Sequence, residues 1–242
     1  MNSINALFSL LWRGWFLITF AVPYLLSLPF TIFLTLNVKF YPVLYFYLHY
    51  LSKFMFFASG IRPKIIKNTK LNPNKQYIFC SNHSSILDVP FMFLLSKKPI
   101  SFIGKESLSK IPIFGFYYKT FNVLVNRKSI KDSYLAFQKA GKKIKEGQNM
   151  VIFPEGGIIK SDKKLSRFKN GLFRLAIEQN ITIIPITFAD NKWIFPEQYS
   201  KGKPGKARVT IHKEVNPSGK EIEQLKQEVF TIIEKQLIAY EN

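Results

Sequence analysis

Cys80-Ser81-Asn82-His83-Ser84-Ser85-Ile86-Leu87-Asp88-Val89-Pro90 separates two apolar runs of different character. The run before it, Gln76 to Cys80, is short and rich in β-formers. The run after it, Phe91 to Leu95, leads into Ser96-Lys97-Lys98 and reads as a helix with cations at its C-terminus. The polar cluster therefore sits on a strand-to-helix turn, where an open α/β sheet places its ligands. His83 and Asp88 are five positions apart, which on a regular helix is about 140° and not one face. They meet only if His83 stays outside the helix and the turn folds back. Pro90 agrees, since proline is tolerated in a first helical turn. A buried carboxylate on one imidazole nitrogen fixes the tautomer and makes the other nitrogen a better base. His83 and Asp88 are thus a candidate general-base pair. The competing readings make Asp88 a helix cap, or the end of a Ser85-x-x-Asp88 capping box, and His83 an ordinary turn histidine.

The chain has 242 residues, enough for one sizeable core and an appendage. Lysine and arginine outnumber aspartate and glutamate 35 to 15, a net charge of +20 that seeks polyanions, anionic lipid or phosphate-bearing substrates. The single cysteine, Cys80, excludes an internal disulfide and a multi-cysteine zinc site, and is expected as a buried strand residue. No metal is expected.

From Gly14 to Val38 no residue is charged: 25 positions, or roughly 37 Å if helical, enough to cross a hydrocarbon core. Pro23 and Pro29 divide that run, and Trp12, Trp15, Tyr24, Tyr41, Tyr45, Tyr47 and Tyr50 resemble interfacial aromatic belts. Residues 1–58 are expected to form a helical hairpin embedded in the bilayer. A buried hairpin of a soluble protein is the alternative. Lys53 and the basic remainder place the following domain, 59–242, on the cytosolic face of the cell membrane.

That domain alternates strands and helices. Strands are expected at Arg62–Ile66, Gln76–Cys80, Ile100–Gly104, Phe121–Val125, Met150–Phe153, Ile181–Phe188 and Lys206–His212. Helices follow His83, Ser129, Phe168 and a Ser218-x-x-Glu221 capping box. The fold class is α/β, a mostly parallel sheet covered by helices. His83, Lys105, Arg127 and Glu155-Gly156-Gly157 each follow a strand, so parallel strands bring all of them to one rim. Arg127 offers a planar fork for phosphate and Lys105 a point charge. Gly156-Gly157 lets backbone N–H groups approach an anion. The bland readings are solvated cations and an ordinary turn.

In these blocks the chain resembles the 1-acylglycerol-3-phosphate (lysophosphatidate) acyltransferases. Asn82-His83-x4-Asp88 is similar to their His-x4-Asp signature. Gly104-Lys105-Glu106-Ser107-Leu108 with Ile111-Pro112-Ile113-Phe114-Gly115, Val125-Asn126-Arg127, Phe153-Pro154-Glu155-Gly156, Phe168 to Ala176, and Ile183-Ile184-Pro185-Ile186 resemble the blocks that follow, in the same order. The resemblance implies that His83 is the base and Asp88 its partner. It implies that Arg127, Glu155 and Gly156 bind the glycerol-phosphate end and that Pro185 shapes the acyl-donor side; Asn82 counts with the substrate contacts. It implies acyl transfer from acyl carrier protein or coenzyme A thioester to a lysophospholipid at a membrane, with no further cofactor. Where the family continues Glu-Gly-Thr-Arg-Ser, this chain has Glu155-Gly156-Gly157-Ile158-Ile159, leaving Lys160, Lys163, Lys164, Arg167 or Lys169 to supply the missing cation. An acceptor such as an amino-acid lysolipid is the alternative. A lipid hydrolase lacks support, because no Gly-x-Ser-x-Gly occurs. A basic nucleic-acid or membrane binder is disfavoured because several cations sit beside strand-end turns rather than on one stripe.

Overall fold

The computed structural model describes residues 3–96, 98–111, 114–126, 129–159 and 165–241. The chain opens with three helices: α1 (Ser3–Leu26), α2 (Leu28–Thr35) and α3 (Tyr41–Ala58). Pro23 lies inside α1, whereas Pro29 and Pro42 sit in first turns, where the missing N–H costs nothing. The uncharged run thus breaks at Ser27, between the two prolines that flank it, and α1 and α3 pack as the arms of a hairpin. Trp12 Nε1 donates to the Ser59 carbonyl and Trp15 Nε1 to that of Ala58, tying the two arms together at 2.8 Å each. By length and composition α1 is long and apolar enough to cross a membrane.

Beyond the hairpin come β1 (Arg62–Lys67), β2 (Ile78–Ser81), α4 (Asp88–Leu95), β3 (Ile100–Lys105), α5 (Phe114–Phe121), β4 (Val123–Val125), α6 (Ile130–Lys145), β5 (Asn149–Ile152), α7 (Gly171–Glu178), β6 (Ile183–Phe188), α8 (Asn191–Ile194), β7 (Lys206–Ile211) and α9 (Ile222–Ala239). The strands form one sheet in the order β1-β7-β6-β2-β5-β3-β4. Strands β6, β2, β5, β3 and β4 are mutually parallel, while β7 runs antiparallel to β6 and carries β1 with it. Central strands β2, β5 and β6 are buried at every position, as a sheet covered on both faces requires. Side chains alternate between the two faces. Phe79, Val151 and Ile184 pack toward α4 and the hairpin, and Ile78, Cys80 and Met150 pack toward α6, α7 and α9. Burial pushes the Cys80 thiol well up, so it is an inert core group.

The hairpin shares this core. Trp12, Phe16, Tyr45, Met55 and Phe56 belong to the same buried cluster as Phe91, Phe188 and Phe195. Its outer face is bare: Leu11, Trp15, Phe46 and Phe54 are exposed, and Phe57 is 85% exposed. A charge holds the hairpin to the domain. Arg13 Nη1 donates to the carbonyls of Gln198 and Lys201 at 2.9 and 2.8 Å, and Nη2 donates to that of Pro196. The guanidinium also lies 4.1 Å from the centre of the Phe195 ring, and Ser9 Oγ donates to the Gly202 carbonyl.

Between β3 and β4 lie a 3₁₀ turn (Glu106–Lys110) and α5. Gly115 is in the first turn of α5, where a Cβ would lie 2.0 Å from the Ser109 carbonyl oxygen. One local expectation changes. The last helix starts at Ile222 without a side-chain cap, since Ser218 Oγ instead donates to Asn180 Oδ1 and Gly219 turns the chain at φ +72°. The Ser129 cap forms as expected, accepting from the Asp132 N–H at 3.1 Å. Arg127, which follows β4, lies outside the described residues.

Truncating Arg13 removes its hydrogen bonds to three carbonyls and its contact with the Phe195 ring. Arg13→Ala is expected to lower unfolding stability by about 3 kcal/mol, read by chemical denaturation in detergent. An unchanged midpoint would show that the staple contributes nothing.

Candidate active site

Strand β2 delivers the chain to Asn82, which does not continue outward. Its Oδ1 accepts from the Phe188 N–H at 2.8 Å and its Nδ2 donates to the Phe188 carbonyl at 2.9 Å. Asn82, counted with the substrate contacts, is 1% exposed and pins the end of β2 to the end of β6. The next residue is free to leave the strand.

That residue is His83, and the turn after it wraps around one carboxylate. Asp88 Oδ2 accepts from His83 Nδ1 at 2.9 Å, from the Ser84 N–H at 2.7 Å and from the Ser85 N–H at 3.0 Å. Asp88 Oδ1 accepts from Asn191 Nδ2 at 2.7 Å. Four donors converge on a side chain with no exposure, which is what a buried carboxylate requires. The His83–Asp88 contact therefore forms, while α4 begins at Asp88 without a side-chain cap: one carboxylate oxygen closes the turn before the helix and meets the imidazole.

The loop after β5 holds His83 from the opposite side. The imidazole stacks on Phe153, with ring centres 3.9 Å apart and planes 14° from parallel. The His83 N–H donates to Glu155 Oε1 at 2.9 Å, and its carbonyl accepts from the Ile159 N–H at 3.0 Å. Glu155 Oε2 accepts from the N–H and the hydroxyl of Ser166. Both Glu155 oxygens thus bond to the chain, and Glu155 clamps the His83 turn to residue 166. Burial pushes the Glu155 carboxyl up to about 7, against the opposing effect of its donors.

Gly156 has φ +82°, a conformation open to glycine, and a Cβ there would come within 2.7 Å of Lys169 Nζ. The Lys169 N–H donates to the Pro154 carbonyl, so this exposed lysine rides on the same loop. Gly157 continues the bend. Lys105 lies exposed at the end of β3, paired in register with Val125, on the rim that His83 and Glu155 share. Among the other cations considered for the missing charge, Arg167 is exposed, and Lys160, Lys163 and Lys164 lie outside the described residues. Pro185 is buried inside β6 opposite Cys80, and its carbonyl accepts from the His212 N–H. It acts on the site through the sheet beneath it rather than through an exposed surface.

Sequence reasoning missed Asn191 and the Ser85 hydroxyl, which donates to the Phe195 carbonyl at 2.8 Å. A signal for Asn191 was present: Ala189-Asp190-Asn191 follows β6 as Asn82-His83 follows β2. Chemically, a carboxylate at Nδ1 places the ring proton there and leaves the Nε2 lone pair as a base. Among the described residues no hydrogen bond engages Nε2, and the His83 side chain is 14% exposed.

A carboxyl whose folded value is raised favours the native state when protonated. The Glu155 contribution to stability is therefore complete below about 4.5 and lost as pH rises through about 7. Glu155→Gln is expected to flatten the fall in unfolding temperature across that window. An identical slope in the variant would contradict the assignment.

Comparison with known proteins places this geometry. Residues 62–189 match the model of the acyltransferase family. A 1-acyl-sn-glycerol-3-phosphate acyltransferase of Chlamydomonas reinhardtii is 31% identical over 148 residues, 60% of this chain and 44% of that protein. The enzyme of the same name from Borreliella burgdorferi is 28% identical over 59% of this chain and 57% of its own length. A lyso-ornithine lipid O-acyltransferase of Pseudomonas aeruginosa is 26% identical over 48% of this chain and 44% of its own. The match thus spans less than two thirds of these curated relatives. The crystal structure of the 1-acyl-sn-glycerophosphate acyltransferase PlsC from Thermotoga maritima shares the fold, with a TM-score of 0.80, 22% identity, and coverage of 100% of this chain and 98% of that one. With the family match extending over more than half of its length and taking in both His83 and Asp88, the chain belongs to the acyltransferase family.

Proposed function

We propose that this protein moves an acyl chain from a thioester to the free hydroxyl of 1-acylglycerol-3-phosphate, giving phosphatidate in phospholipid synthesis. The observation that carries the reading is the His83 Nδ1–Asp88 Oδ2 contact at 2.9 Å. It leaves Nε2 to act on the acceptor. His83 Nε2 takes the hydroxyl proton as the oxygen attacks the thioester carbonyl. The ester C–O bond forms, the C–S bond breaks, and the proton held by the imidazolium passes to the departing thiolate. Asp88 stabilises the imidazolium between those events. The chemistry uses neither an acyl-enzyme nor a cofactor beyond the acyl thioester of coenzyme A or acyl carrier protein.

The rim supplies the anchor for the acceptor's phosphate. Lys105, Lys169 and the Gly156-Gly157 bend lie on it, and Arg127 follows the adjoining strand; these are the proposed phosphate contacts. The relatives named as 1-acyl-sn-glycerol-3-phosphate acyltransferases support this acceptor. A second acceptor, an ornithine-type lysolipid, is favoured by the Pseudomonas aeruginosa relative and by the Gly157-Ile158-Ile159 sequence. The exposed apolar face of the hairpin seats the enzyme in the cytoplasmic membrane, where both lipids reside, and the +20 charge faces the cytosol.

Purified protein incubated with lysophosphatidate and palmitoyl-coenzyme A or palmitoyl carrier protein is expected to yield phosphatidate, identified by mass spectrometry. His83→Ala is expected to cut that rate at least about a hundredfold while the protein still sediments with vesicles. Normal turnover in the variant removes the mechanism. Exclusive acylation of lyso-ornithine lipid moves the assignment to the second acceptor, and release of free fatty acid makes the protein a hydrolase.

A further inference from the structure

Asn191 lies two positions beyond the segment that matches the family, and 103 residues from Asp88 in sequence. It has no exposure, and its Nδ2 donates to the Asp88 oxygen that does not face His83. The carboxylate itself decides which way the amide points, because Oδ1 needs a donor and only the nitrogen provides one. The cost of that choice is visible. Asn191 Oδ1 is buried with no hydrogen-bond partner among the described residues. A buried acceptor left empty is unfavourable. The side chain is held there by its place on α8, at the end of β6.

We infer that Asn191 is a positioning residue for the reaction: it fixes the rotation of the Asp88 carboxylate so that Oδ2 faces the imidazole. Without it, Oδ1 has no partner among the described residues, and the carboxylate turns away from Nδ1 to find one. The segment bearing Asn191 is anchored twice over. The Phe195 carbonyl takes the Ser85 hydroxyl from the catalytic turn, and Arg13 of the hairpin grips the carbonyls of Pro196, Gln198 and Lys201. Asn191 thus carries the hairpin's grip to the dyad through one short helix. Its kinetic consequence rests on the acyl-transfer reading, whereas its structural consequence does not.

The test reads the ring directly. In full-length protein with ¹⁵N-labelled histidine, the wild type is expected to hold His83 as the single tautomer protonated at Nδ1, assigned by loss of the signal in His83→Ala. In Asn191→Ala the signal is expected to become a mixture of tautomers. With the acceptor found above, kcat is expected to fall at least tenfold while both KM values stay within about twofold, the pattern of lost transition-state support. Should the alanine variant unfold, Asn191→Asp keeps the shape and faces Asp88 with a second carboxyl. The two would share one proton, and the same mixing is expected. A single unchanged tautomer in the folded variant overturns the inference. Absence of any acyl transfer by the wild type instead sinks the functional reading and leaves the tautomer spectra to decide Asn191.

Discussion

One carboxylate oxygen, Asp88 Oδ2, organises the site. It gathers the His83 imidazole and the Ser84 and Ser85 N–H groups within 3.0 Å. A buried charge tolerates no vacancy among its donors, so the turn has one shape. That shape starts α4 and keeps His83 off the helix. It also aims Nδ1 inward. Groups from three strand ends complete the clamp: Asn82 closes β2 against β6, Phe153 and Glu155 hold the ring and its backbone from β5, and Asn191 holds the second oxygen from beyond β6. Parallel strands bring these groups together because their C-terminal ends share a rim.

The hairpin is part of the same construction. Its inner face fills one side of the sheet, and Arg13 binds it to the 195–202 segment, which contacts the His83–Asp88 turn through Phe195 and Ser85. Its outer face remains apolar and open. The hairpin with its open apolar face and the turn that holds His83 therefore share a core. In the proposed reaction this nearness matters, since acceptor and product each carry a chain that belongs in the bilayer.

Much of this was legible in the chain. Buried strands read as short apolar runs, and all seven fell close to their expected positions. The five-residue spacing of His83 and Asp88 demanded a fold-back, and the polar ends of successive strands announced the rim. Direction was not legible. Asn82 and Glu155 have the chemistry of substrate contacts, yet each spends its polar atoms on neighbouring backbone, because a turn this tight leaves N–H groups that need acceptors. The reversal of β7 and β1 was equally hidden, since a strand's pattern does not record which way it runs. Asn191 was missed because its partner is remote in sequence, and Arg127 lies outside the described residues.

The proposed chemistry depends on the Asp88 carboxylate, and the isosteric Asp88→Asn tests that dependence most directly. An amide keeps the size and can still accept from the turn, but it cannot support an imidazolium or enforce the Nδ1 proton. The predicted result is a folded, membrane-bound protein whose kcat for lysolipid acylation is at least about a thousandfold lower. A folded variant with near-normal kcat would contradict the claim that this carboxylate makes His83 the base.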